Sequence, residues 1–473
     1  MAPRPTLLID APPGREPERR YILDVVLCDW LGLDWRLRVE ERPDVRICLD
    51  GDASGRCVLL PDVLFGAPAH EWLTAASLPT PPLSSVTVGA PGSGPLRAGE
   101  RLPTLYGSSS PAASPIADPD ADRLEVDIFG SAFFMLTRYE EIVVSDRDRY
   151  GRFSASSSVA GRAGLLRSPI VDSYVELLWS ALERAWPGLR RKSRRFGVLI
   201  THDVDDPLAT LGRGPVRVVR QLAADLLLRR DLGLAGRRVR AVAGARRGDH
   251  RLDPYNTFDF LMDVSERNDT RSAFYFLANR SPNPLDGTYL LEHPWVQSLI
   301  GHIHRRGHEV GLHASFHSYR DPGRTRDEFD RLRAVAEAQG VRQEQWGGRQ
   351  HYLRWDNPVT WANWSAAGLT YDITLAYHDA VGFRTGTCHP YRVFDLLERR
   401  PLELEERPFQ VMDGTLFSYM SLAPDAAHAA VLDLASECRR FGGSLGLLWH
   451  NSELPTDRQR RWYSSLVAAV SNP

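Results

Sequence analysis

The sequence predicts an α/β protein whose larger, C-terminal part alternates strands with helices and follows a smaller mixed segment. After residue 196, apolar β-branched runs alternate with amphipathic helical patterns. Before residue 190, short strands and helices are mixed, which predicts an α+β or α/β fold. The chain has 473 residues, of which 43% are hydrophobic, enough for more than one core. We therefore predict an accessory domain over 1–190 and a second domain over 196–473.

The N-terminal elements follow from apolar spacing and turn signals. Helical spacing ends at Gly32, and Asp-Gly and Ser-Gly pairs bound two short apolar runs. The predicted elements are a helix over Tyr21–Leu31, strands over Val45–Leu49 and Cys57–Leu60, a Gly- and Pro-rich loop over 88–120, and helices over Asp127–Glu140 and Ile170–Trp186. No catalytic cluster stands out in this segment.

The C-terminal part begins with a buried strand, Phe196–Thr201, that ends in the acidic stretch His202–Pro207. Residues 208–250 interrupt the repeat as an Arg-rich helical insertion. The repeat then resumes with helices over Phe258–Glu266, Pro294–Arg306 and Arg324–Gln339, and strands over Ser272–Leu277, His308–Leu312, Thr370–Thr374, Leu416–Met420 and Ser444–Trp449.

Composition excludes several classes of protein. The 58 basic residues nearly balance the 60 acidic ones, so a nucleic-acid-coating protein is not expected. The five cysteines form no CxxC pair, which argues for reduced thiols and against a cysteine zinc site. The first twenty residues lack the apolar stretch of a signal peptide, and no window is apolar enough to span a membrane. We therefore expect a cytoplasmic protein.

Three carboxylates, Asp203, Asp205 and Asp206, stand where the first strand of the repeat ends. Their mutual repulsion costs free energy unless a cation or a base function uses them. The alternative is an Asp-rich helix cap before Pro207. Strand ends of α/β sheets are where ligand-binding groups converge, which favours the functional interpretation.

Two histidines, His313 and His317, follow another predicted strand at a spacing of four residues. If a helix begins there, the two imidazoles share one face. A single such pair often arises by chance among 14 histidines. Together with one carboxylate, however, the pair would make a three-ligand site for zinc or another first-row divalent metal. A second carboxylate could then act as general base, which favours hydrolysis.

Four ordered motifs carry a family resemblance: Thr201–Asp206, Gly311–His317, Gly348–Tyr352 and Leu447–His450. The chain over 196–473 resembles the polysaccharide deacetylases, the NodB-homology group of carbohydrate esterase family 4 (CE4). It is similar to the subgroup that carries an extra N-terminal domain. The resemblance implies a distorted (β/α)7-type barrel that removes acetyl groups from amino sugars.

The resemblance also implies roles for individual residues. Asp203 matches the general base, and the metal ligands would be Asp205, His313 and His317, with Asp206 as the other candidate carboxylate. Arg349 matches the arginine that orients the catalytic carboxylate, with Arg354 as its rival, and His450 matches the general acid. Tyr352 belongs to the third motif and is an expected substrate-binding residue. Apart from the resemblance, Trp355 and Tyr391 could offer stacking faces to sugar rings, the alternative being that both belong to the core.

The expected function is a metal-dependent hydrolase that removes acetyl groups from an amino sugar or a polysaccharide precursor. Its cofactor would be one divalent ion, with zinc the first choice, and its partner an acetylated glycan or sugar precursor rather than a nucleic acid. Two alternatives remain: hydrolysis of another non-peptide C–N bond, as in a cyclic amide, or a catalytically inactive glycan-binding or scaffold protein of polysaccharide biosynthesis. The arginines of 212–247 leave peripheral membrane contact open.

Overall fold

The structure, a computed structural model, describes residues 5–89, 92–107, 121–212, 219, 220, 222–224, 227, 231–279, 285–287 and 289–472. It is a mixed α/β fold, as the sequence predicts. Among the described residues, no helix combines the length and apolar character that crossing a membrane requires. The Arg-rich insertion is described only in part: its helix α6 spans Leu232–Ala245, whereas 213–218, 221, 225, 226 and 228–230 lie outside the described residues.

The N-terminal segment builds a five-stranded mixed sheet in the order β2-β1-β3-β4-β7. Its strands are β1 (Thr6–Ala11), β2 (Asp34–Val39), β3 (Asp44–Leu49), β4 (Cys57–Pro61) and β7 (Ala121–Arg123), and β5 (Ser84–Thr87) pairs separately with β6 (Arg101–Thr104). Its helices are α1 (Glu16–Leu23), a π-helical continuation (Asp24–Trp30), α2 (Ile128–Leu136), α3 (Glu140–Val143), α4 (Val159–Arg162) and α5 (Ile170–Ala185). The predicted helices and strands of this segment are confirmed. Part of the predicted loop over 88–120 is instead strand β6, and 108–120 lie outside the described residues.

The C-terminal part is a nine-stranded sheet in the order β13-β14-β12-β11-β10-β9-β8-β16-β15. Its strands are β8 (Gly197–Val204), β9 (Ser272–Leu277), β10 (Glu309–Ala314), β11 (Gly347–Gln350), β12 (Tyr371–Asp372), β13 (Tyr391–Asp395), β14 (Arg400–Glu406), β15 (Val411–Met412) and β16 (Ser444–Leu448). All neighbouring pairs are parallel except β13 with β14. The remaining helices are α7 (Phe258–Arg267), α8 (Pro294–Arg305), α9 (Pro322–Ala338), α10 (Val359–Ala367), α11 (Pro424–Phe441) and α12 (Asp457–Ser471).

The two faces of this sheet bury separate apolar clusters. Tyr275 packs in a small cluster with side chains from distant strands of the sheet, including Tyr371 and Leu448. Phe274 and Phe276, on the opposite face of β9, join the large core under the helices. In the described part of the chain, β13 and β15 remain edge strands, so the closed barrel that the resemblance implies is not confirmed.

One predicted strand is wrong. The predicted strand Leu416–Met420 is instead a π-helical turn, Thr415–Tyr419, followed by Met420. Leu416 is buried, whereas Phe417 and Tyr419 are 37% and 47% exposed, so this short apolar run does not lie within a sheet core. A short apolar run alone does not distinguish a strand from a helical segment.

A buried ion network joins the N-terminal segment to the C-terminal sheet. Arg138 donates hydrogen bonds to Glu140 and Glu141, both at 2.8 Å, and to the carbonyl of Arg384 at 2.6 Å. The guanidinium of Arg384 in turn pairs with Glu141 at 2.6 Å. All four side chains are nearly inaccessible to solvent. The two parts of the chain are therefore coupled through buried charges.

We expect Arg138→Met to lower the free energy of unfolding by about 3–5 kcal/mol, because it removes the cation that pairs with the buried Glu140 and one of the two that pair with the buried Glu141. Arg20→Met is the control, since the Arg20–Glu16 pair is exposed and should contribute at most about 1 kcal/mol. Urea unfolding followed by circular dichroism measures both. Equal losses in the two variants would show that the buried network does not stabilise the junction.

Candidate active site

Polar side chains converge where neighbouring parallel strands end. Asp203 lies near the end of β8, His313 in β10 and Arg349 in β11, while His450 follows β16. These strands are neighbours in the order β11-β10-β9-β8-β16, so their carboxyl ends open on one edge of the sheet. The segments after β8 and β11 add Asp205 and His351 to the same edge.

Asp205, His313 and His351 form a compact group of possible metal ligands. Oδ1 of Asp205 lies 3.1 Å from Nε2 of His313 and 3.5 Å from Nε2 of His351. The three ligand atoms all lie within 4.8 Å of one another. Both imidazoles are buried, and the Asp205 side chain keeps 30% of its surface exposed, so solvent reaches the group from the carboxylate side.

Oxygen atoms on the far side of each ring orient the two histidines. Nδ1 of His313 lies 3.0 Å from the carbonyl oxygen of Arg349, and Nδ1 of His351 lies 3.1 Å from Oδ1 of Asp286. An Nδ1–H that donates to such an acceptor leaves Nε2 free to bind a metal ion. Carboxylate and carbonyl partners of this kind accompany most metal-binding histidines.

These residues fit a divalent cation. Oδ1 of Asp205 and Nε2 of His313 are buried and lie 3.1 Å apart, yet among the described residues neither forms a hydrogen bond of good geometry. This arrangement costs free energy unless a further group binds both atoms. Two imidazoles and one carboxylate are a donor set that zinc and other first-row metals accept. Burial lowers the pKa of His351, but Asp205 and Asp286 outweigh it and raise this pKa to about 9. Binding of a cation would therefore release a proton.

Asp203 is held as a carboxylate by Arg349. Nη1 of Arg349 donates to Oδ1 of Asp203 at 2.6 Å, and Nη2 donates to Oγ1 of Thr201 at 2.9 Å. Burial would raise the pKa of Asp203, but the charge of Arg349, followed by those of the nearby histidines, lowers it. The rival Arg354 donates instead to the carbonyls of Tyr150 and Phe316. Arg349 is therefore the arginine that orients Asp203.

His450 is paired with a carboxylate that the motifs did not indicate. Asp413, directly after β15, accepts the backbone N–H of His450 and faces its Nδ1, both at 2.7 Å. Burial would lower the pKa of His450, but Asp413 and then Asp205 raise it well above its usual range. Nε2 of His450 lies 3.7 Å from Oδ2 of Asp205. A protonated imidazole therefore faces the same group as the metal-ligand candidates.

The structure does not bring His317 to this group. His313 lies within strand β10, which continues to Ala314, and the chain then makes a tight turn, so the predicted helix face does not exist. His317 is exposed, and its ring packs beside Phe316. Within the described ranges, the two groups of possible ligands are Asp205 with His313 and His351, and Asp172 with Cys388 and His389. His351 thus stands where the sequence analysis placed His317.

The other predicted residues lie in different places. Between the two candidate carboxylates, Asp205 joins the ligand group and Asp206 does not. Tyr352 follows His351 and is half-buried at the rim. The expected substrate contacts of Trp355 and Tyr391 are corrected. Trp355 is 1% exposed and packs on Trp361, and Tyr391 is 2% exposed in β13, so neither offers an open ring face to a ligand.

Three residues of the site were not predicted from the sequence: His351, Asp286 and Asp413. His351 stands two positions after Arg349 within the motif Gly348–Tyr352, and this position could have indicated a site residue. Asp413 directly follows the apolar pair Val411–Met412, the same strand-end pattern that marked Asp203. Asp286 lies in a loop and reaches His351 only through the fold.

This chain is similar to polysaccharide deacetylases of known structure. A provisionally assigned polysaccharide deacetylase from Mycobacterium smegmatis matches with 19% identity and a TM-score of 0.38, over 59% of this chain and 85% of that one. Polysaccharide deacetylase Bc1974 from Bacillus cereus matches with 13% identity and a TM-score of 0.27, over 46% and 79%. A CE4 family pseudoenzyme from Bacillus anthracis matches with 10% identity and a TM-score of 0.28, over 46% and 56%. These matches carry the name of the family that the motifs resemble, and the geometry of the site does not rest on them.

The N-terminal segment matches a different group. Residues 7–187 match a protein family of unknown function (DUF7033). No curated protein matches the chain.

Proposed function

We propose that this protein is a metal-dependent hydrolase that removes acetyl groups from an amino sugar or a polysaccharide precursor. The observation that carries the proposal is the meeting of Asp205, His313 and His351, with unpartnered ligand atoms, beside the Asp203–Arg349 pair and the His450–Asp413 pair. The acetylated substrate is inferred from the motif resemblance. A curved barrel-like domain, a zinc ion, the division into 1–190 and 196–473, and a cytoplasmic location belong to the same proposal.

The proposed chemistry divides between a base and an acid. Asp205, His313 and His351 would hold a divalent ion, which when bound would supply Lewis acidity and lower the pKa of nearby water. Asp203, ionised beside Arg349, accepts the proton of the attacking water. Protonated His450 donates a proton to the departing amine or alcohol, which is a poor leaving group as an anion. Asp413 holds the His450 ring in place for that transfer.

Two alternatives use the same residues. Another non-peptide C–N bond, as in a cyclic amide, would need the same base and acid. A catalytically inactive glycan-binding protein would need neither, and the presence of both the Asp203–Arg349 and the His450–Asp413 pairs favours an enzyme.

We expect the purified protein to bind close to one divalent ion per chain and to release acetate from acetylated chitooligosaccharides or acetylated exopolysaccharide. His313→Ala should lose both the ion and the acetate release, because this residue supplies one of three ligands. Elemental analysis and an acetate assay measure the two properties. If the wild type is purified without metal, and His313→Ala binds glycan as tightly as the wild type, the inactive alternative is supported instead. Ring opening of a cyclic amide without acetate release would support the other enzyme.

A further inference from the structure

The N-terminal segment reaches the rim of the candidate site through one short turn, Asp148–Arg152. Oδ1 of Asp148 accepts the backbone N–H groups of Tyr150 and Arg152, both at 2.9 Å. The N–H of Gly151 donates to the carbonyl of Asp148 at 2.9 Å, and Gly151 has φ +76°, a conformation that favours glycine. These hydrogen bonds hold the turn in one conformation.

Two arginines fix this turn against the site. Nη2 of Arg152 pairs with Oδ2 of Asp148 at 2.7 Å and donates to the Tyr419 hydroxyl at 3.0 Å. Its Nη1 donates to the carbonyl of Tyr352 at 3.3 Å. From the other side, Nε of Arg354 donates to the carbonyl of Tyr150 at 2.7 Å. Tyr352, which directly follows the ligand candidate His351, is thus held from the N-terminal segment.

The backbone of Tyr352 is unusual. Tyr352 has φ +62°, a left-handed conformation that is costly for a residue with a bulky side chain. Such conformations persist where surrounding contacts hold them, and they concentrate at functional sites. The hydrogen bond from Arg152 to the Tyr352 carbonyl is one of those contacts.

Three tyrosine rings line this rim as a wall formed by Tyr150, Tyr352 and Tyr419. The rings of Tyr150 and Tyr352 are 5.1 Å apart, and the Arg152 guanidinium lies 5.0 Å from the Tyr150 ring and 5.4 Å from the Tyr419 ring. Tyr419 is 47% exposed, and the other two rings are half-buried. Part of each tyrosine therefore stays accessible to solvent, and the Tyr352 ring lies 4.7 Å from the ring of the ligand candidate His351.

We infer that the N-terminal segment is a substrate-recognition element, whose turn Asp148–Arg152 completes this tyrosine wall as a binding surface for an oligosaccharide. The inference rests on the proposed function, since it places the acetylated sugar at the ligand group and a neighbouring sugar on the wall. Aromatic rings that combine an apolar face with a polar hydroxyl suit saccharides.

The test compares Tyr150→Ala with Tyr150→Phe in the full chain. The probes are N-acetylated chitotetraose, which is long enough to reach the wall, and 4-nitrophenyl acetate, which is not. We expect Tyr150→Ala to raise KM for the tetraose about 5–10-fold with kcat nearly unchanged, because a stacking contact is lost. Hydrolysis of 4-nitrophenyl acetate should not change, and Tyr150→Phe, which keeps the ring face and loses only the hydroxyl, should raise KM for the tetraose by less than Tyr150→Ala. Val39→Ala, at an exposed position of strand β2 in the N-terminal sheet, is the control and should behave as wild type.

Equal losses on both probes would assign Tyr150 a purely structural role and overturn the inference, as would an unchanged KM for the tetraose. If the wild type hydrolyses neither probe, the proposed function fails. Calorimetry then measures separately whether the tyrosine wall binds the tetraose. Weaker binding by Tyr150→Ala than by wild type would then support the wall. Absence of binding to the wild type would overturn it.

Discussion

Asp203→Asn is expected to lower kcat for acetate release by about 10³-fold, or about 4 kcal/mol in transition-state stabilisation. Asparagine keeps the size of the side chain but cannot accept the proton of the attacking water. It also weakens the charged contact with Arg349, whose Nη1 lies 2.6 Å from Asp203 Oδ1. Steady-state kinetics on an acetylated glycan, together with elemental analysis, provides the measurement.

The matched control for this prediction is Asp206→Asn, three residues further along the same acidic stretch. Asp206 does not belong to the ligand group, so this substitution should leave kcat nearly unchanged and the ion in place. In Asp203→Asn the ion should also remain, since Asp203 is not among the three proposed ligands. Loss of the ion from Asp203→Asn would reassign that carboxylate from base to ligand.

Much of the site could be predicted because strand ends are visible in a sequence. The apolar run before Asp203 and the one before His450 predict buried strands, and parallel strands place their ends on one edge. The structure places Asp205 in the group of possible ligands and brings Arg349 to Asp203. The strand-end pattern marked the acidic stretch, whereas the separate roles of Asp205 and Arg349 came from the motif resemblance.

The remaining features depend on contacts between distant parts of the chain. Strand β10 runs to Ala314 rather than ending at Leu312, so the spacing of His313 and His317 no longer describes a helix face. Asp286 and Asp413 meet their histidines across 65 and 37 residues. The turn Asp148–Arg152 meets Tyr352 across 200 residues. No periodicity in the sequence reports such contacts.

His351→Ala is expected to lower the affinity for the divalent ion by more than about 100-fold and to remove activity with it. Loss of a carboxylate that hydrogen-bonds a metal-binding histidine typically lowers metal affinity by about 10–100-fold. Loss of the histidine itself should therefore lower the affinity further. Asp286→Asn, which reaches the ligand group through the His351 ring and also accepts the backbone N–H of Phe316, should fall within about 10–100-fold. Competition with a fluorescent chelator measures all of these affinities.

His317→Ala is the companion variant, because His317 is the ligand candidate of the motifs that the structure leaves outside the group. The His317 side chain is exposed, and the group of possible ligands contains His351 instead. We therefore expect His317→Ala to bind the ion with the affinity of wild type and to retain its activity. In the reverse result, His317→Ala loses the ion and His351→Ala keeps it. The loop after β10 would then carry His317 to the ion, and the proposed ligand set would be wrong.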